Sequence, residues 1–374
     1  MSNEPMVKTI PLCIPDLHGR EDEYLATCVR DNWVSSAGPY VTQLEQAFSE
    51  HCAPGHAVAV SSGTAALHLC LVAAGVTGPE HRVVVPDWTF VASVNAVRHA
   101  GATPVFVDIT EESWTLDPNA LEVVLSRPDH GVRAVIAVHT LGHPADMDAL
   151  RAVCAGQGIV LIEDAAGALG SLYKGRPAGS IGDMAAFSLN GNKIITAGGG
   201  GIIVTPNAEQ ARLVRHLSTQ ARIGSDYEHD AVGYNYRMTN LNAAVGLAQF
   251  ERLDAIVAKR RAIAQSYDAA FSNIVGITPM PRATWVNSNC WLYSVQLESE
   301  VAAKSLVEFL QERRIESRIF WRSVSSFAPY QEFSAELNGV SRALSGRVVS
   351  LPCSHSLTDV QQNRVIDSID AWRQ

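Results

Sequence analysis

Short apolar segments alternate with amphipathic segments between positions 57 and 164 of the chain. The apolar segments are typical of β-strands and lie at positions 57–60, 82–86, 103–108, 133–139 and 159–164. The segments between them repeat apolar residues every three or four positions, as helices do. Strands that are apolar throughout occur in sheets covered on both faces. The pattern therefore predicts an α/β fold in which helices enclose a mostly parallel sheet.

Two more strands are predicted at 185–189 and 201–205, which brings the predicted sheet to seven strands. One uninterrupted helix is predicted from about Thr239 to Ala269, because no proline breaks its apolar repeat. Beyond about position 250 the pattern becomes a mixture of short strands and helices. We therefore predict a large α/β domain over 1–250 and a smaller α+β domain over 251–374, with the N-terminal segment against the smaller one.

The composition excludes several classes of protein. The chain has 374 residues, and its formal charge of −9 comes from 38 acidic and 29 basic residues without blocks of one sign. A nucleic-acid-binding protein would carry a basic patch, so nucleic acid is not an expected partner. Neither a signal-peptide core nor an apolar run of about 18 residues occurs, so we expect a cytoplasmic protein with no membrane contact.

Cysteine and histidine give no pattern typical of a metal site. The seven cysteines have no metal-ligand spacing, and we expect reduced, mostly buried thiols. His139 and His143 are four residues apart, but Gly142 and Pro144 interrupt any helix that would place them on one face. We therefore expect two loop histidines and no metal.

Residues that could bind a ligand or react follow several of the predicted strands, at the edge where open α/β sheets bind ligands. Residues 61–64 (SSGT) open a helix and suit either an ordinary N-cap or a phosphate. Trp88 suits either the core or a stacking platform. Asp164 ends a buried strand and needs a positive partner or a strong donor. Lys193 lies just before four glycines and is either an exposed loop lysine or a desolvated nucleophile.

Each of these residues alone favours the ordinary structural interpretation. Their combination at strand ends of one domain is more specific. Pyridoxal 5′-phosphate (PLP) needs an anion site, an aromatic plate, a carboxylate for its pyridine nitrogen and a lysine for covalent attachment. The sequence therefore predicts a PLP site.

Segments along nearly the whole chain resemble the DegT/DnrJ/EryC1/StrS family of sugar aminotransferases, which have the fold of fold-type I PLP enzymes. The lysine and GYNYRMTN segments are the most specific. The segments that carry the resemblance are WVSSAGPYV (33–41), SSGTAALHL (61–69), PDWTFVASVNAV (86–97), GHPADMDAL (142–150), EDAAGALGS (163–171), FSLNGNKIITAGGGG (187–201), GYNYRMTNLNAAVGLAQ (233–249) and SLPCSHSLTD (350–359).

The resemblance implies a role for several residues. Lys193 would join the cofactor aldehyde covalently and later carry a proton between substrate and cofactor. Asp164 would keep the pyridine nitrogen protonated, and Trp88 would stack on the ring. The cofactor phosphate would be bound by Gly63, Thr64 and Ser188. Asn235 would reach the cofactor phosphate of a neighbouring subunit, so the resemblance implies a homodimer with shared active sites.

The resemblance also implies the reaction. Glutamate would supply the amino group, and a nucleotide-linked keto sugar would receive it for surface polysaccharide synthesis. The lysine segment as a whole is most similar to enzymes that aminate C4 of UDP-linked 4-keto-6-deoxy sugars, of the bacillosamine and legionaminic acid type. GDP-linked 4-keto and dTDP-linked 3-keto sugars remain alternatives.

Two departures from the family pattern concern the active site, the first near the cofactor and the second near the substrate. Gly167 stands where many relatives carry Gln, Glu or His. The segment Arg318–Ile319–Phe320–Trp321–Arg322 lacks the two prolines usual in the family, and the resemblance places this loop near the sugar nucleotide. Arg318, Phe320, Trp321 and Arg322 are therefore the predicted substrate-binding residues, although Arg322 is equally consistent with a solvated surface position.

Two other kinds of protein share this fold. Pyridoxamine-dependent sugar dehydratases replace the lysine with histidine, which Lys193 argues against. A non-catalytic regulatory protein would be expected to lack Lys193 or Asp164, and both are present.

Overall fold

The computed structural model describes residues 8–53 and 55–373. Most helices begin after a residue that leaves the helical conformation and caps the first turn, as Ser62, Asp146 and Ser299 do. The α-helices are α1 (Glu21–Arg30), α2 (Pro39–His51), α3 (Gly63–Ala73), α4 (Ala92–His99), α5 (Pro118–Leu125), α6 (Met147–Cys154), α7 (Ala208–Ser218), α8 (Asn240–Phe250), α9 (Leu253–Phe271), α10 (Glu300–Glu312), α11 (Val340–Leu344) and α12 (Asp359–Arg373).

The strands are short, and those in the interior of the main sheet are almost wholly buried. They are β1 (His56–Val60), β2 (Arg82–Pro86), β3 (Thr103–Val107), β4 (Val132–Val138), β5 (Val160–Asp164), β6 (Leu172–Tyr173), β7 (Arg176–Pro177), β8 (Met184–Ser188), β9 (Gly201–Thr205), β10 (Arg222–Ile223), β11 (Glu228–His229), β12 (Ile277–Pro279), β13 (Val286–Asn287), β14 (Tyr293–Leu297), β15 (Arg318–Phe320), β16 (Ala335–Glu336) and β17 (Val348–Leu351).

The main sheet has the order β1-β9-β8-β5-β4-β2-β3-β16. The pairs from β8 through β16 are parallel, whereas β9 runs antiparallel to both β1 and β8. The predicted α/β fold with a mostly parallel sheet is therefore confirmed. Its seven predicted strands are all present, and the two-residue strand β16 makes an eighth at the edge, where it pairs with β3. So short a strand has no detectable period in the sequence.

The single helix predicted from Thr239 to Ala269 is wrong, because the chain breaks between α8 and α9. Arg252 leaves the helical conformation at φ −107° and ψ 5°. Its guanidinium donates to the Asp16 carboxylate at 3.1 Å, and Glu251 accepts from the Tyr24 hydroxyl at 2.6 Å. These contacts with the N-terminal segment favour the break. The helix breaks here without a proline, so the local sequence does not reveal the break.

The C-terminal part of the chain builds a second, antiparallel sheet in the order β12-β14-β17-β15. Ile10 in the N-terminal segment forms a bridge with Ile315 beside this sheet. Two strands of the C-terminal part join sheets of the first part, since β16 pairs with β3 and β13 pairs with β6. The domain boundary near residue 250 remains a proposal.

All seven cysteines are free, and six of them are buried, as predicted. None of the helices in the described part of the chain combines the length and apolar character needed to span a membrane.

Candidate active site

A cavity of about 610 Å³ lies where β2, β4, β5 and β8 reach their carboxyl ends. Ligands bind at this edge of open α/β sheets because the following loops converge there. The cavity is closed on one side by residues of the C-terminal part, among them Trp291 and Trp321. Lys193 and Asp164, the two predicted catalytic residues, both line it.

The helix α3 points its N-terminus into the cavity. Ser62 caps the helix, because its side chain accepts a hydrogen bond from Ala65 N at 3.1 Å. The N–H groups of Gly63 and Thr64 precede the first intrahelical bond, which runs from Ala66 N to Ser62 O. Gly63, Thr64 and Ser188 all line the cavity, as expected for a phosphate site. Unused N–H groups and the helix dipole favour an anion here.

Asp164 is buried, and two hydrogen bonds fix its carboxylate. Oδ2 accepts from the Ser93 hydroxyl at 2.6 Å, and Oδ1 accepts from Ala166 N at 3.1 Å. Ser93 belongs to α4, so two elements orient one carboxylate. Ser93 could not be recognised from the sequence, because a serine in an amphipathic helix carries no local signal.

Lys193 lies in the loop between β8 and β9, and its N–H donates to Asn190 O at 3.0 Å. Removal of the amine from bulk water lowers the pKa of Lys193 to about 8, although the Asp164 carboxylate acts in the opposite direction. A lysine amine with so low a pKa is unprotonated, and therefore nucleophilic, far more often than a surface amine.

The glycines after Lys193 have different environments. Gly199 lines the cavity, and a side-chain carbon there would meet no atom within 4 Å. A side-chain carbon on Gly201 would lie 2.5 Å from Ser62 O, so β9 can approach the α3 N-terminus only without a side chain. The absence of a side chain at Gly199 leaves space in the cavity, whereas the absence of one at Gly201 permits close packing.

Trp88 does not line the cavity in this structure, and its stacking on the cofactor ring stays a prediction. Its side chain is fully buried, and its indole N–H donates to Trp321 O at 3.0 Å. The ring packs edge-on against Trp114 and Trp321. Phe90, two residues further on, is 57% exposed and lines the cavity instead. Two aromatic residues follow the same strand, and only the fold determines which of them faces the cavity.

Three of the four predicted substrate residues, Arg318, Phe320 and Trp321, line the cavity. Arg322 does not. Its guanidinium points to the surface, 3.9 Å from the Glu300 carboxylate, and both side chains are about half exposed. The prediction that Arg322 binds substrate is therefore not supported within one subunit, and the surface interpretation fits better.

Asn235 is exposed and does not line its own subunit's cavity. It forms an isolated bridge with Thr219. A surface position is what a residue reaching a neighbouring subunit needs.

His139 and His143 lie in loops, as predicted, and both are buried in hydrogen-bond networks. His139 Nδ1 accepts from Ala145 N at 3.1 Å, so its Nε2 donates to Glu163 at 2.8 Å. Burial opposes ionisation of Glu163, but the bonds from His139 and backbone N–H groups lower the Glu163 pKa below its usual value. Burial lowers the pKa of His143 to about 4. Among the described residues, no cluster of three or more His, Cys, Asp or Glu could hold a metal ion.

The residues that line the cavity fit PLP. The α3 N-terminus offers N–H groups to a phosphate, Asp164 offers an oriented carboxylate to a ring nitrogen, and Lys193 offers an amine of low pKa to an aldehyde.

The family model of the DegT/DnrJ/EryC1/StrS aminotransferase family matches residues 15–370. EpsN of Bacillus subtilis (strain 168), which is named as a pyridoxal phosphate-dependent aminotransferase, is 38% identical over 370 residues, covering 97% of this chain and 95% of EpsN. GDP-perosamine synthase of Escherichia coli O157:H7 is 35% identical over 367 residues, covering 98% of this chain and 99% of that enzyme.

A solved structure named as that of a sugar aminotransferase, Spr1654 of Streptococcus pneumoniae in its PLP form, is also similar. The TM-score is 0.90 at 28% identity, and the match covers 97% of this chain and 98% of Spr1654. The chain therefore belongs to the DegT/DnrJ/EryC1/StrS aminotransferase family, and its cofactor is pyridoxal 5′-phosphate.

Proposed function

We propose that this enzyme moves an amino group from glutamate to the keto carbon of a sugar linked to a nucleoside diphosphate. The observation that carries the proposal is that Lys193, Asp164 and the α3 N-terminus line one cavity in a chain of this family. That cavity is large enough to hold a cofactor and part of a substrate, because ligand sites of small molecules typically measure about 300–1,000 Å³.

The cofactor, when bound, supplies a conjugated ring that takes up the electrons released from the substrate carbon. Gly63, Thr64 and Ser188 would hold its phosphate. Asp164, fixed by Ser93 and Ala166 N, would accept a hydrogen bond from the ring nitrogen and keep that nitrogen protonated. Each of these residues binds or orients the cofactor, and none of them reacts.

Lys193 is the residue that reacts. Its amine would hold the cofactor, which supplies the aldehyde for covalent attachment. When free of the cofactor, the amine would take a proton from the donor carbon and later deliver a proton to the sugar carbon. A pKa near 8 suits both duties, because such a group gains and loses a proton readily near neutral pH.

Arg318, Phe320 and Trp321 are proposed to bind the sugar nucleotide at the mouth of the cavity. Arg318 supplies a permanent positive charge for a diphosphate, and the two aromatic rings supply apolar surface for a sugar or base. Because the reaction has two half-reactions, glutamate and the sugar nucleotide use this mouth in turn.

A GDP-linked 4-keto sugar is the first candidate for the acceptor. Its support is the similarity to GDP-perosamine synthases of three organisms, at 35–38% identity. The UDP-linked C4 acceptor expected from the lysine segment has no comparable support among these relatives and becomes the second candidate.

The active unit is proposed to be a homodimer. Asn235 is exposed, as a residue reaching a neighbouring subunit must be. Exposed apolar side chains also lie near it in the chain, with Tyr227 86% and Val232 84% exposed. A surface shared by two copies would cover them.

The experiment starts from the pyridoxamine form of the enzyme, prepared with glutamate. It is incubated in turn with GDP-, UDP- and dTDP-linked keto sugars, and the return of the aldehyde form of the cofactor is followed by absorbance. We expect return with one nucleotide class and no return with Lys193→Ala supplied directly with pyridoxamine 5′-phosphate. Failure of every sugar nucleotide, with return on simple keto acids alone, would contradict the proposal.

A further inference from the structure

The indole of Trp291 lies directly over the amine of Lys193. The distance from Lys193 Nζ to the centre of the ring is 3.6 Å. Trp291 comes from the C-terminal part of the chain, immediately before β14, and its side chain is 6% exposed. A cation within about 6 Å of the face of a tryptophan is attracted by the negative face of the ring.

Trp291 is held in this position from three sides. Its indole N–H donates to Asn192 O at 2.7 Å, which ties the ring to the loop that carries the lysine. Its backbone N–H donates to Asn289 Oδ1 at 2.8 Å, and its carbonyl accepts from Arg260 at 2.7 Å. So many contacts on one residue fix the plane of the indole relative to the lysine loop.

The indole fits only because Gly167 has no side chain. A side-chain carbon built on Gly167 would overlap the edge of the Trp291 ring. Asn289 joins the two, because its amide donates to Gly167 O at 2.9 Å while its oxygen accepts from Trp291 N. The space that other family members are expected to fill with Gln, Glu or His is thus occupied here by a ring from another part of the chain.

We propose that Trp291 is a positioning residue that binds the ammonium form of Lys193 on its ring face whenever the lysine is not joined to the cofactor. This inference rests on the proposed function only for its role in turnover, where the freed lysine carries a proton. The contact itself exists without substrate or cofactor. A ring face in a site shielded from water attracts a cation more strongly than one in solution.

Three influences act on the protonated amine besides the ring. Removal from water opposes the charged form, whereas the negative charge of Asp164 favours it, as does that of Cys13 when its thiol is ionised. The ring face also favours the charged form, and unlike Asp164 it stays free to do so once the carboxylate holds the ring nitrogen of the cofactor. Trp291 therefore provides a defined binding position for the protonated amine of the displaced lysine.

The test replaces Trp291 alone with a fluorinated tryptophan, which keeps the size of the ring and withdraws electrons from its face. The full chain without cofactor is labelled with trace acetic anhydride at a series of pH values, and mass spectrometry gives the pKa of Lys193. Because the ring stabilises the ammonium, we expect fluorination to lower this pKa by about 0.5. The same analogue at Trp372, in α12, is the matched control and should leave it unchanged.

A second pair of variants tests the same point by ordinary mutation. Trp291→Phe keeps an aromatic face, and Trp291→Leu replaces it with an aliphatic chain of similar bulk, so the Phe variant should show the higher Lys193 pKa. An equal Lys193 pKa with native and fluorinated rings, or in the Phe and Leu variants, would overturn the inference and leave Trp291 as a wall of the cavity. Because no sugar is used, these results are independent of the choice of acceptor.

Discussion

The amine of Lys193 has an unusual protonation equilibrium for a lysine. Its pKa is lowered to about 8 by removal from water, with Asp164 as the counteracting charge. At pH 8 about half of such amines are unprotonated, against about 0.3% of amines with the ordinary lysine pKa. The cavity thus prepares the nucleophile before any ligand enters.

We predict that capture of PLP by the cofactor-free enzyme follows this equilibrium. Only the unprotonated amine attacks an aldehyde, so the second-order rate should rise with pH through about 8 and level off above about 9. Stopped-flow absorbance measures the rate. A rate that kept rising to pH 10.5 would show that Lys193 has an ordinary pKa.

Ser93 is predicted to support cofactor binding through Asp164. Ser93→Ala removes the 2.6 Å hydrogen bond to the carboxylate, and a bond to a charged group contributes about 1.5–3 kcal/mol. We expect the Kd for PLP to rise about tenfold or more, as measured by equilibrium dialysis. Ser93→Thr, which retains the hydroxyl, is the control, and an unchanged Kd in Ser93→Ala would remove Ser93 from the site.

Lys193 and Asp164 could be predicted because they occur together with the SSGT segment at strand ends of one domain, although each alone favours an ordinary structural role. Both residues line the cavity. Other site residues belong to common residue types, and their roles depend on how the fold orients their side chains. They are Ser93, Phe90 and Trp291. Trp291 is 98 positions from Lys193 in the chain, so no local spacing connects the two.

Among the elements, the junction of β9 and α3 shapes the phosphate site. Gly201 in β9 lies against the backbone of Ser62, the residue that caps α3. The sheet register pairs Gly201 with Val60, at the end of β1 just before that cap. The position of the α3 N-terminus therefore depends on a strand that is far away in the sequence.

Gly201→Ala is predicted to displace this junction. The added carbon would lie 2.5 Å from Ser62 O, and overpacking of this kind typically costs about 1–3 kcal/mol. We expect a lower Tm together with weaker PLP binding. Gly199→Ala, where the added carbon meets nothing within 4 Å, is the matched control and should keep the wild-type Tm. Equal melting temperatures for the two variants would contradict this account of the junction.

Elements with a strong period were predictable, and elements defined by tertiary contacts were not. The apolar strands β2, β4 and β5 follow from composition alone. The break between α8 and α9 and the edge strand β16 arise from contacts with Asp16, Tyr24 and β3, which lie more than 200 positions away.

At the scale of the whole molecule, the cavity lies between the main sheet and the C-terminal part, while Asn235 faces outward. If two copies share their active sites, as proposed, each site combines Lys193 and Asp164 of one subunit with Asn235 of the other. Sharing of this kind has a measurable consequence in mixed dimers.

We predict that heterodimers of Lys193→Ala and Asn235→Asp chains, purified with two tags, recover about half of the wild-type activity. One of the two sites in each heterodimer combines an intact Lys193 with an intact Asn235 and should be active. In Asn235→Asp homodimers a carboxylate faces the cofactor phosphate at both sites, so both should be impaired. Heterodimers of Lys193→Ala and Asp164→Ala are the control and should stay inactive, because both residues serve the same site. If the first pair of heterodimers recovered no activity, the proposal that two subunits share their active sites would be contradicted.

The central claim is that Lys193 carries the cofactor in the cavity that Asp164 lines. Borohydride reduction of the enzyme with PLP, followed by peptide mass mapping, tests it most directly, since the chain has five lysines. We predict a reduced cofactor adduct on the peptide containing Lys193 and none in Lys193→Ala. An adduct on Lys8, Lys174, Lys259 or Lys304 in place of Lys193 would contradict the account.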